Sequence, residues 1–187
     1  MEMDTSQPIP TRSLLRTLWL LPVIFAVHDA EELVTMPRWL TSHRLELEQI
    51  AALNPLLEKM VHSLALTTPQ VAIAIGFLLF VFLVVTAGAA RSPRRGFWIY
   101  AYASLLGVLF LHVFTHVGQA LLVRGYAPGV IGAVVVIIPG AIFIYRRLFA
   151  AQLLSWKSAV VTGLIGMGLF VPGVLLAQQI GRLLWGG

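Results

Sequence analysis

A nearly uninterrupted apolar stretch at positions 68–90 is the feature that most constrains how this chain folds. With ~1.5 Å of rise per residue, a helix of that length crosses the ~30 Å hydrocarbon core of a bilayer. Comparable stretches occur at about 14–34, 97–123, 128–149 and 158–184. Backbone polar groups inside a bilayer must be satisfied internally, so we expect helices. The sequence predicts an all-α, polytopic transmembrane helix bundle of about five spans, forming one membrane domain over residues 1–187.

The composition favours lipid over water as the surroundings of the chain. Hydrophobic residues make up 58% and charged residues 11%, whereas a soluble domain carries about 25% charged residues. The net charge of +5 would suggest nucleic acid in a soluble protein, but the basic residues stand at span ends, so we predict no nucleic-acid partner. Without cysteine, disulfides and thiolate metal sites are excluded. No signal-peptide cleavage site follows Val27, so a retained first helix is expected.

The basic residues also predict an orientation, because cytoplasmic loops of membrane proteins collect Lys and Arg. Eight of them fall in segments that five spans would place on one side: Arg12, Arg16, Arg91, Arg94, Arg95, Arg146, Arg147 and Lys157. The predicted location is the cytoplasmic (inner) membrane, with a cytoplasmic N-terminus. The C-terminus and the segment 36–66 would then lie outside.

Segment 36–66 differs from the spans because charged residues alternate with leucines. Pro37 could open one short helix, and Asn54-Pro55 is a good N-cap and first-turn pair for another. Such a pattern is typical of amphipathic helices that lie at a membrane surface. We therefore expect an interfacial cap between the first two spans.

Ionisable side chains lie inside two of the predicted spans, where each costs ~2.5–3.5 kcal/mol or more and suggests a function. His28 and Glu32 near the end of the first span stand four residues apart, as do His112 and His116 in the third. Each pair therefore shares a helix face. By helical rise, His28 lies ~21 Å from the inner end of its span and His112 ~22 Å, so the two pairs are expected at one level.

Three imidazoles and one or two carboxylates at one level predict a divalent metal site. Zinc takes histidine nitrogen and carboxylate oxygen, and non-haem iron is often held by two histidines and a carboxylate. The predicted metal ligands are His28, Glu32, His112 and His116. By analogy with the inverted zinc-protease motif H-x-x-E-H, Glu32 would bind the metal, and Glu31 would be the catalytic base or a bridging ligand. Zinc or iron, and one ion or two, stay open, and a purely structural polar network is the alternative.

Further polar side chains are candidates for extra ligands or supporting partners of the site: Asp29, His43, His62, Thr115, Gln119 and Gln178. Thr115 and Gln119 extend the polar face of the third span, which is expected to look into the bundle. Gln178, on the last span, comes to a similar level by the same helical count. The histidines of the interfacial cap are expected to be solvated.

His28, Glu31 and Glu32 form an H-x-x-E-E pattern, and His112-x-x-x-His116 follows within a short chain of about five spans. In these features the chain resembles the HxxEE family of membrane proteins, which has no assigned activity. In general plan it also resembles the small membrane sterol isomerases of the emopamil-binding type, which use His and Glu without a metal. This second resemblance implies an aromatic pocket, for which the available residues are Phe25, Tyr100, Phe110 and Phe114.

Three functions follow from these patterns. The first is a membrane-embedded metalloenzyme, of zinc-hydrolase or non-haem iron oxidase type, that acts on an apolar or lipid molecule. The second is a metal-free isomerase or cyclase that uses a Glu/His pair as acid and base. The third is a small metal or proton transporter; the short chain and the lack of an inverted repeat argue against it, unless a homodimer supplies the symmetry.

Overall fold

A computed structural model describes residues 12–55, 58 and 66–186, and every regular element within these residues is helical. Five helical spans in this part of the chain are long and apolar enough to cross a membrane. Span 1 is Arg12–Ser42, span 2 Thr68–Arg91, span 3 Phe97–Leu122, span 4 Val130–Ala150 and span 5 Trp156–Trp185. The predicted all-helical architecture with five membrane-length helices is therefore confirmed for the described residues.

Span 1 is longer than the sequence predicts. It consists of the helices Arg12–Leu18 and Leu20–Ser42, and the second of them passes through Pro37. The prediction that Pro37 opens a separate interfacial helix is therefore wrong. Proline removes one backbone donor, but near a membrane surface water can satisfy the freed carbonyl, so the helix continues.

Beyond span 1 the chain forms a short surface helix, Arg44–Ala51, in which no residue is buried. Helical backbone begins again at Pro55, after Asn54, as predicted. The amide of Glu58 donates to the carbonyl of Asn54 over 3.1 Å. Positions 56–57 and 59–65 of the predicted interfacial cap, including His62, lie outside the described residues.

Span 3 forms the centre of the bundle and packs against spans 2, 4 and 5. Its crossing with span 5 is close, because a Cβ atom on Gly107 would lie 2.7 Å from the Cα of Gly163. Small residues permit such close approach of two backbones in a membrane. Spans 1 and 2 are joined by the stacked rings of Phe25 and Phe82, whose centroids are 4.3 Å apart. The first turns of span 4 lie between spans 1 and 3.

A buried tyrosine compensates for the proline near the start of span 1. Pro22 cannot donate to the carbonyl of Leu18, one helical turn earlier. The hydroxyl of Tyr102 donates to that carbonyl over 3.0 Å, and both Leu18 and Tyr102 are fully buried. This hydrogen bond gives the Leu18 carbonyl a donor in place of the one that Pro22 lacks, and it ties span 1 to span 3.

Span 4 is irregular in its first half. The short helix Val130–Gly132 is followed by a π-helical segment, Ala133–Ile137, and then by the helix Ile138–Ala150. The sequence predicts a distortion near Pro139 because proline lacks the N–H that would continue the ladder. The π-helical segment ends two residues before Pro139, and single π turns of this kind are frequent at functional sites.

Two arginines connect the basic segments of the chain. The guanidinium of Arg95 donates to the carbonyl of Gln152 over 2.7 Å. That of Arg147 donates to the hydroxyl of Ser13, also over 2.7 Å. The start of span 1, the loop before span 3 and the loop after span 4 therefore lie at the same end of the bundle.

Candidate metal centre

Four ionisable side chains from spans 1 and 3 converge on one point of the bundle. One ligand atom from each of His28, Glu32, His112 and His116 lies within 4.8 Å of the other three. The Oε1 atom of Glu32 is 3.2 Å from Nε2 of His116 and 3.9 Å from Nε2 of His28. Residues selected by their i,i+4 spacing are thus neighbours in the fold. This group has the composition and the closeness to hold a metal ion.

The centre of the group is buried. His28 and His116 are 1% and 3% exposed, while Glu32 and His112 are partly buried. The ring centroid of His116 is 4.8 Å from that of His28 and 4.4 Å from that of His112. Because water is largely excluded, electrostatic interactions among these side chains and with a bound ion are stronger than at a surface.

Three buried ring nitrogens of the group have no hydrogen-bond partner within the described chain. They are Nδ1 and Nε2 of His28 and Nε2 of His116. Leaving a buried polar atom unpaired costs ~1–3 kcal/mol, so such atoms are uncommon without a ligand. Unpaired imidazole nitrogens beside a carboxylate oxygen are what a divalent cation such as zinc or iron needs, so the residues fit a metal.

A backbone carbonyl fixes the tautomer of His116. The Nδ1 of its ring lies 2.9 Å from the carbonyl oxygen of Pro128, which can only accept. His116 therefore donates through Nδ1 and presents a lone pair on Nε2, the atom that faces Glu32. Metal-binding histidines are commonly oriented in this way by a carbonyl or carboxylate on the other ring nitrogen.

A threonine plays the same part for His112. The Thr115 hydroxyl donates to the carbonyl of His112 over 2.7 Å, and its oxygen lies 2.9 Å from Nδ1 of the same residue. Since the hydroxyl hydrogen is already used, the oxygen accepts from Nδ1 and leaves Nε2 with a lone pair. Phe170 of span 5 also packs against His112, with its ring centroid 4.8 Å from that of His112.

Residues 126–132, the loop before span 4 and its first turn, form a covering segment that lies over the group. Gly129 has a φ of +82°, and a Cβ there would lie 2.8 Å from Oε1 of Glu32 and 2.7 Å from Cε1 of His116. A Cβ on Gly132 would lie 3.1 Å from Nδ1 of His28. Only glycine allows the backbone to approach so closely. The sequence prediction missed both glycines, although the Pro128-Gly129 pair is a turn signal that could have drawn attention to them.

Glu31 lies beside the group but faces the covering segment. Its Oε2 accepts from the amide of Gly132 over 2.5 Å. Its Oε1 accepts from the Tyr126 hydroxyl over 2.8 Å and from the amide of Ile131 over 3.3 Å. The carboxylate of Glu31, on span 1, therefore contacts the first amides of span 4, and Glu31 lies outside the four-residue group. Its predicted role as catalytic base stays a prediction.

Aromatic side chains brace the outside of the covering segment. The indole of Trp39 donates to the carbonyl of Tyr126 over 2.9 Å. Partial burial raises the pKa of the Tyr126 hydroxyl, and this hydroxyl is the donor to Glu31. His43 stacks on Trp39 at 4.4 Å and places Nδ1 3.0 Å from the Trp39 carbonyl. His43 thus contacts Trp39 and lies outside the four-residue group.

The polar face of span 3 looks into the bundle only in part. His116 is buried and His112 is half-buried, whereas Thr115 and Gln119 are exposed. The prediction that Thr115 and Gln119 face inward is therefore wrong. The buried residues of span 3 follow a stripe that ends at His116, and a step of one residue around a helix turns the side chain by ~100°.

Two other candidates also lie away from the group. Asp29 is buried at 8% exposure, and its Oδ2 has no partner among the described residues. It lies one turn beyond Phe25, on the face that packs against span 2. Gln178 lies about 12 Å along span 5 from Phe170, the residue that meets His112. Neither belongs to the four-residue group.

The predicted aromatic residues do not form one pocket in the described structure. Phe25 stacks on Phe82 in the core. Phe110 meets Phe114 edge to face, but Phe114 is 64% exposed, and Tyr100 is 37% exposed. The aromatic ring that packs against His112 of the four-residue group is instead that of Phe170, which the sequence prediction did not select.

Comparison with known proteins supports the family resemblance that the H-x-x-E-E pattern suggests. Searches of curated proteins and of solved structures gave no match to this chain. A family profile described as "Protein of unknown function with HXXEE motif" matches residues 19–144, about two thirds of the chain. The matched range includes every residue of the candidate metal group and the covering segment. This chain is therefore a member of the HXXEE-motif family, whose function is unknown.

Proposed function

We propose that this protein is an integral membrane metalloenzyme that acts on an apolar or lipid substrate. The observation that carries the proposal is the set of unpaired, buried imidazole nitrogens of His28 and His116 beside the carboxylate of Glu32. A hydrogen-bonded structural network would leave no such atoms. A cation bound between them removes the cost of burying them unpaired.

The spacing of the donors favours a single ion. A tetrahedral ion with metal–ligand distances of ~2.0–2.1 Å holds its ligand atoms ~3.3 Å apart. The pair Glu32–His116, at 3.2 Å, already has this spacing, and the pair His28–Glu32, at 3.9 Å, is ~0.6 Å wider. The other donor pairs lie within 4.8 Å of one another, so they must close by at most ~1.5 Å to hold one ion. Three imidazoles and one carboxylate are donors suited to Zn²⁺ or Fe²⁺ rather than to Mg²⁺ or Ca²⁺.

The protein supplies position, charge and shielding at this site. Glu32 contributes the negative charge, while Pro128 and Thr115 orient the two histidines of span 3. A divalent metal held there would supply a Lewis acid and activate water near neutral pH. Since His112 is half-buried and next to exposed Thr115, the group is reachable from the side of the bundle. An apolar molecule dissolved in the bilayer is the substrate class that this approach favours.

Metal titration of the metal-stripped protein tests the binding part of the proposal. We expect one equivalent of Zn²⁺ or, without oxygen, Fe²⁺ for the wild type, and loss of stoichiometric binding in Glu32→Gln and His112→Ala. His43→Ala is the matched control, because His43 contacts Trp39 instead of the group. Equal binding by wild type and Glu32→Gln would contradict the proposal.

Comparison of membrane lipids tests the enzymatic part. Lipid extracts of cells that express wild type or Glu32→Gln would be compared by mass spectrometry. We expect at least one lipid or apolar metabolite to change only with the wild type. Identical extracts across the apolar metabolome would contradict catalysis on an endogenous apolar substrate and leave metal binding as the function.

The short contact between Nε2 of His116 and Oε1 of Glu32 also supports a second candidate, metal-free proton transfer. A carboxylate and an imidazole at 3.2 Å can serve as an acid/base pair. A strong chelator separates the two candidates once a substrate is found. Full activity in the chelator supports the metal-free isomerase or cyclase, and loss that is restored by metal supports the metalloenzyme.

The proposed orientation places the N-terminus on the cytoplasmic side of the inner membrane. Three basic segments share one end of the bundle through the contacts of Arg95 and Arg147, which supports this end as the cytoplasmic one. The chain has no cysteine, so single cysteines can report on sidedness. An impermeant thiol reagent should label Ser42→Cys but not Ser92→Cys in intact cells, and the reverse would overturn the orientation.

A further inference from the structure

We propose that the two carboxylates of the H-x-x-E-E motif have separate tasks. Glu32 binds the metal. Glu31 is a positioning residue that holds the covering segment, residues 126–132, against the four-residue group. The part that concerns Glu32 rests on the proposed function. The part that concerns Glu31 can also be tested in the metal-free protein.

The hydrogen bonds of Glu31 occupy most of its accepting capacity. A carboxylate offers about four lone-pair sites, and three are used by the hydroxyl of Tyr126 and the amides of Ile131 and Gly132. The first amides of a helix have no partner within it, so a carboxylate at this position stabilises the start of span 4. This arrangement suits an anchor better than a base that must accept a proton from water.

The anchored segment is connected directly to the metal group. Pro128, four residues before Gly132, accepts from Nδ1 of His116 over 2.9 Å. Between them, Gly129 packs its backbone against the carboxylate of Glu32 and the ring of His116. By fixing Gly132, Glu31 therefore fixes the Pro128 carbonyl, and that carbonyl sets the direction of Nε2 of His116 towards Glu32. The adjacent glutamates thus act on the same centre, one directly and one through the backbone.

The test compares Glu31→Gln with Glu32→Gln, and uses Glu46→Gln on the exposed helix Arg44–Ala51 as the matched control. An amide in place of the Glu31 carboxylate loses one acceptor and its charge. We expect Glu31→Gln to bind one equivalent of Zn²⁺ about 10- to 100-fold more weakly, as for other changes behind a metal ligand. With Co²⁺ as the probe, its visible spectrum should shift. Tyr126→Phe should show a smaller change in the same direction, because it removes one donor of three.

Hydrogen exchange of the metal-free protein gives an independent readout. The amides of Ile131 and Gly132 donate to Glu31, so they should exchange faster in Glu31→Gln than in the wild type or in Glu46→Gln. If Glu31→Gln loses stoichiometric zinc as Glu32→Gln does, Glu31 is a ligand and the proposal is wrong. Unchanged exchange at both amides would also overturn it.

Failure of the proposed function gives a different pattern. If neither wild type nor any variant binds Zn²⁺ or Fe²⁺, the metal proposal fails, yet faster exchange at Ile131 and Gly132 in Glu31→Gln would still support the anchor. Were Glu31→Gln not to fold, as judged by helix content and a monodisperse elution profile, Tyr126→Phe would decide by the same two measurements.

Discussion

Replacing Gly129 by alanine tests how closely the covering segment shapes the centre. Gly129 adopts a φ of +82°, a left-handed conformation that costs a non-glycine residue ~1–2 kcal/mol. The added Cβ would lie 2.8 Å from Oε1 of Glu32 and 2.7 Å from Cε1 of His116, whereas ordinary contacts begin at 3.4 Å. The backbone or these two side chains must therefore move by roughly 0.6–0.7 Å, since a close-packed interior leaves no free space.

A displacement of this size at two of four donors should weaken metal binding about 10- to 100-fold, which corresponds to ~1.4–2.8 kcal/mol. The metal-free protein should lose ~1–2 kcal/mol of stability from the backbone alone. Zinc titration in detergent measures the first effect, and unfolding in mixed micelles measures the second. Gly118→Ala is the matched control, because a Cβ there meets nothing within 4 Å. Wild-type zinc affinity in Gly129→Ala would show that the covering segment does not shape the positions of Glu32 and His116.

Tyr102, Thr115 and the pH dependence of metal binding give three further predictions. Tyr102→Phe should destabilise the protein by ~1–3 kcal/mol in micellar unfolding, because the buried Leu18 carbonyl loses the hydroxyl that donates to it. Exposed Tyr100→Phe is the control and should have little effect, so equal losses would contradict this explanation. Thr115→Val should weaken zinc binding about 10- to 100-fold without changing the stoichiometry, since Nδ1 of His112 loses its acceptor; unchanged affinity in calorimetry would show that this contact does not orient the ring. Metal affinity should fall on acidification from pH 8 to pH 6 and binding should release protons, because imidazole binds metal only when neutral; calorimetry in buffers of different ionisation enthalpy measures the release, and a pH-independent affinity would argue against histidine ligands.

The bundle was predictable because a membrane imposes strong constraints on sequence. Apolar stretches long enough to cross a bilayer gave five spans, and each agrees with the structure within a few residues except span 1, which continues to Ser42. The four residues of the group could also be selected from the sequence. Ionisable residues within apolar helices are costly, and the i,i+4 spacing places both members of a pair on one face of their helix. His28 and His116 illustrate this, because they lie on different helices and their ring centroids are only 4.8 Å apart.

What the sequence could not provide depends on tertiary contacts. Glu31 resembles a second catalytic carboxylate by position, but its partners lie about 100 residues later, on span 4. Gly129 and Gly132 carry no side chain to suggest a role, and only the approach of their backbone to the histidines reveals it. The role of Gln178 stays a prediction, because counting from span ends does not show how span 5 crosses span 3, where Phe170 meets His112.

The most direct test of the central claim is element-specific analysis of protein purified gently, without chelator, combined with anomalous X-ray diffraction. We expect about one atom of zinc or iron per chain, with its anomalous signal between His28, Glu32 and His116. The atom should be lost in His112→Ala and retained in His43→Ala. Well below one equivalent of any transition metal after loading with zinc and iron, or a metal bound elsewhere in the chain, would contradict the account.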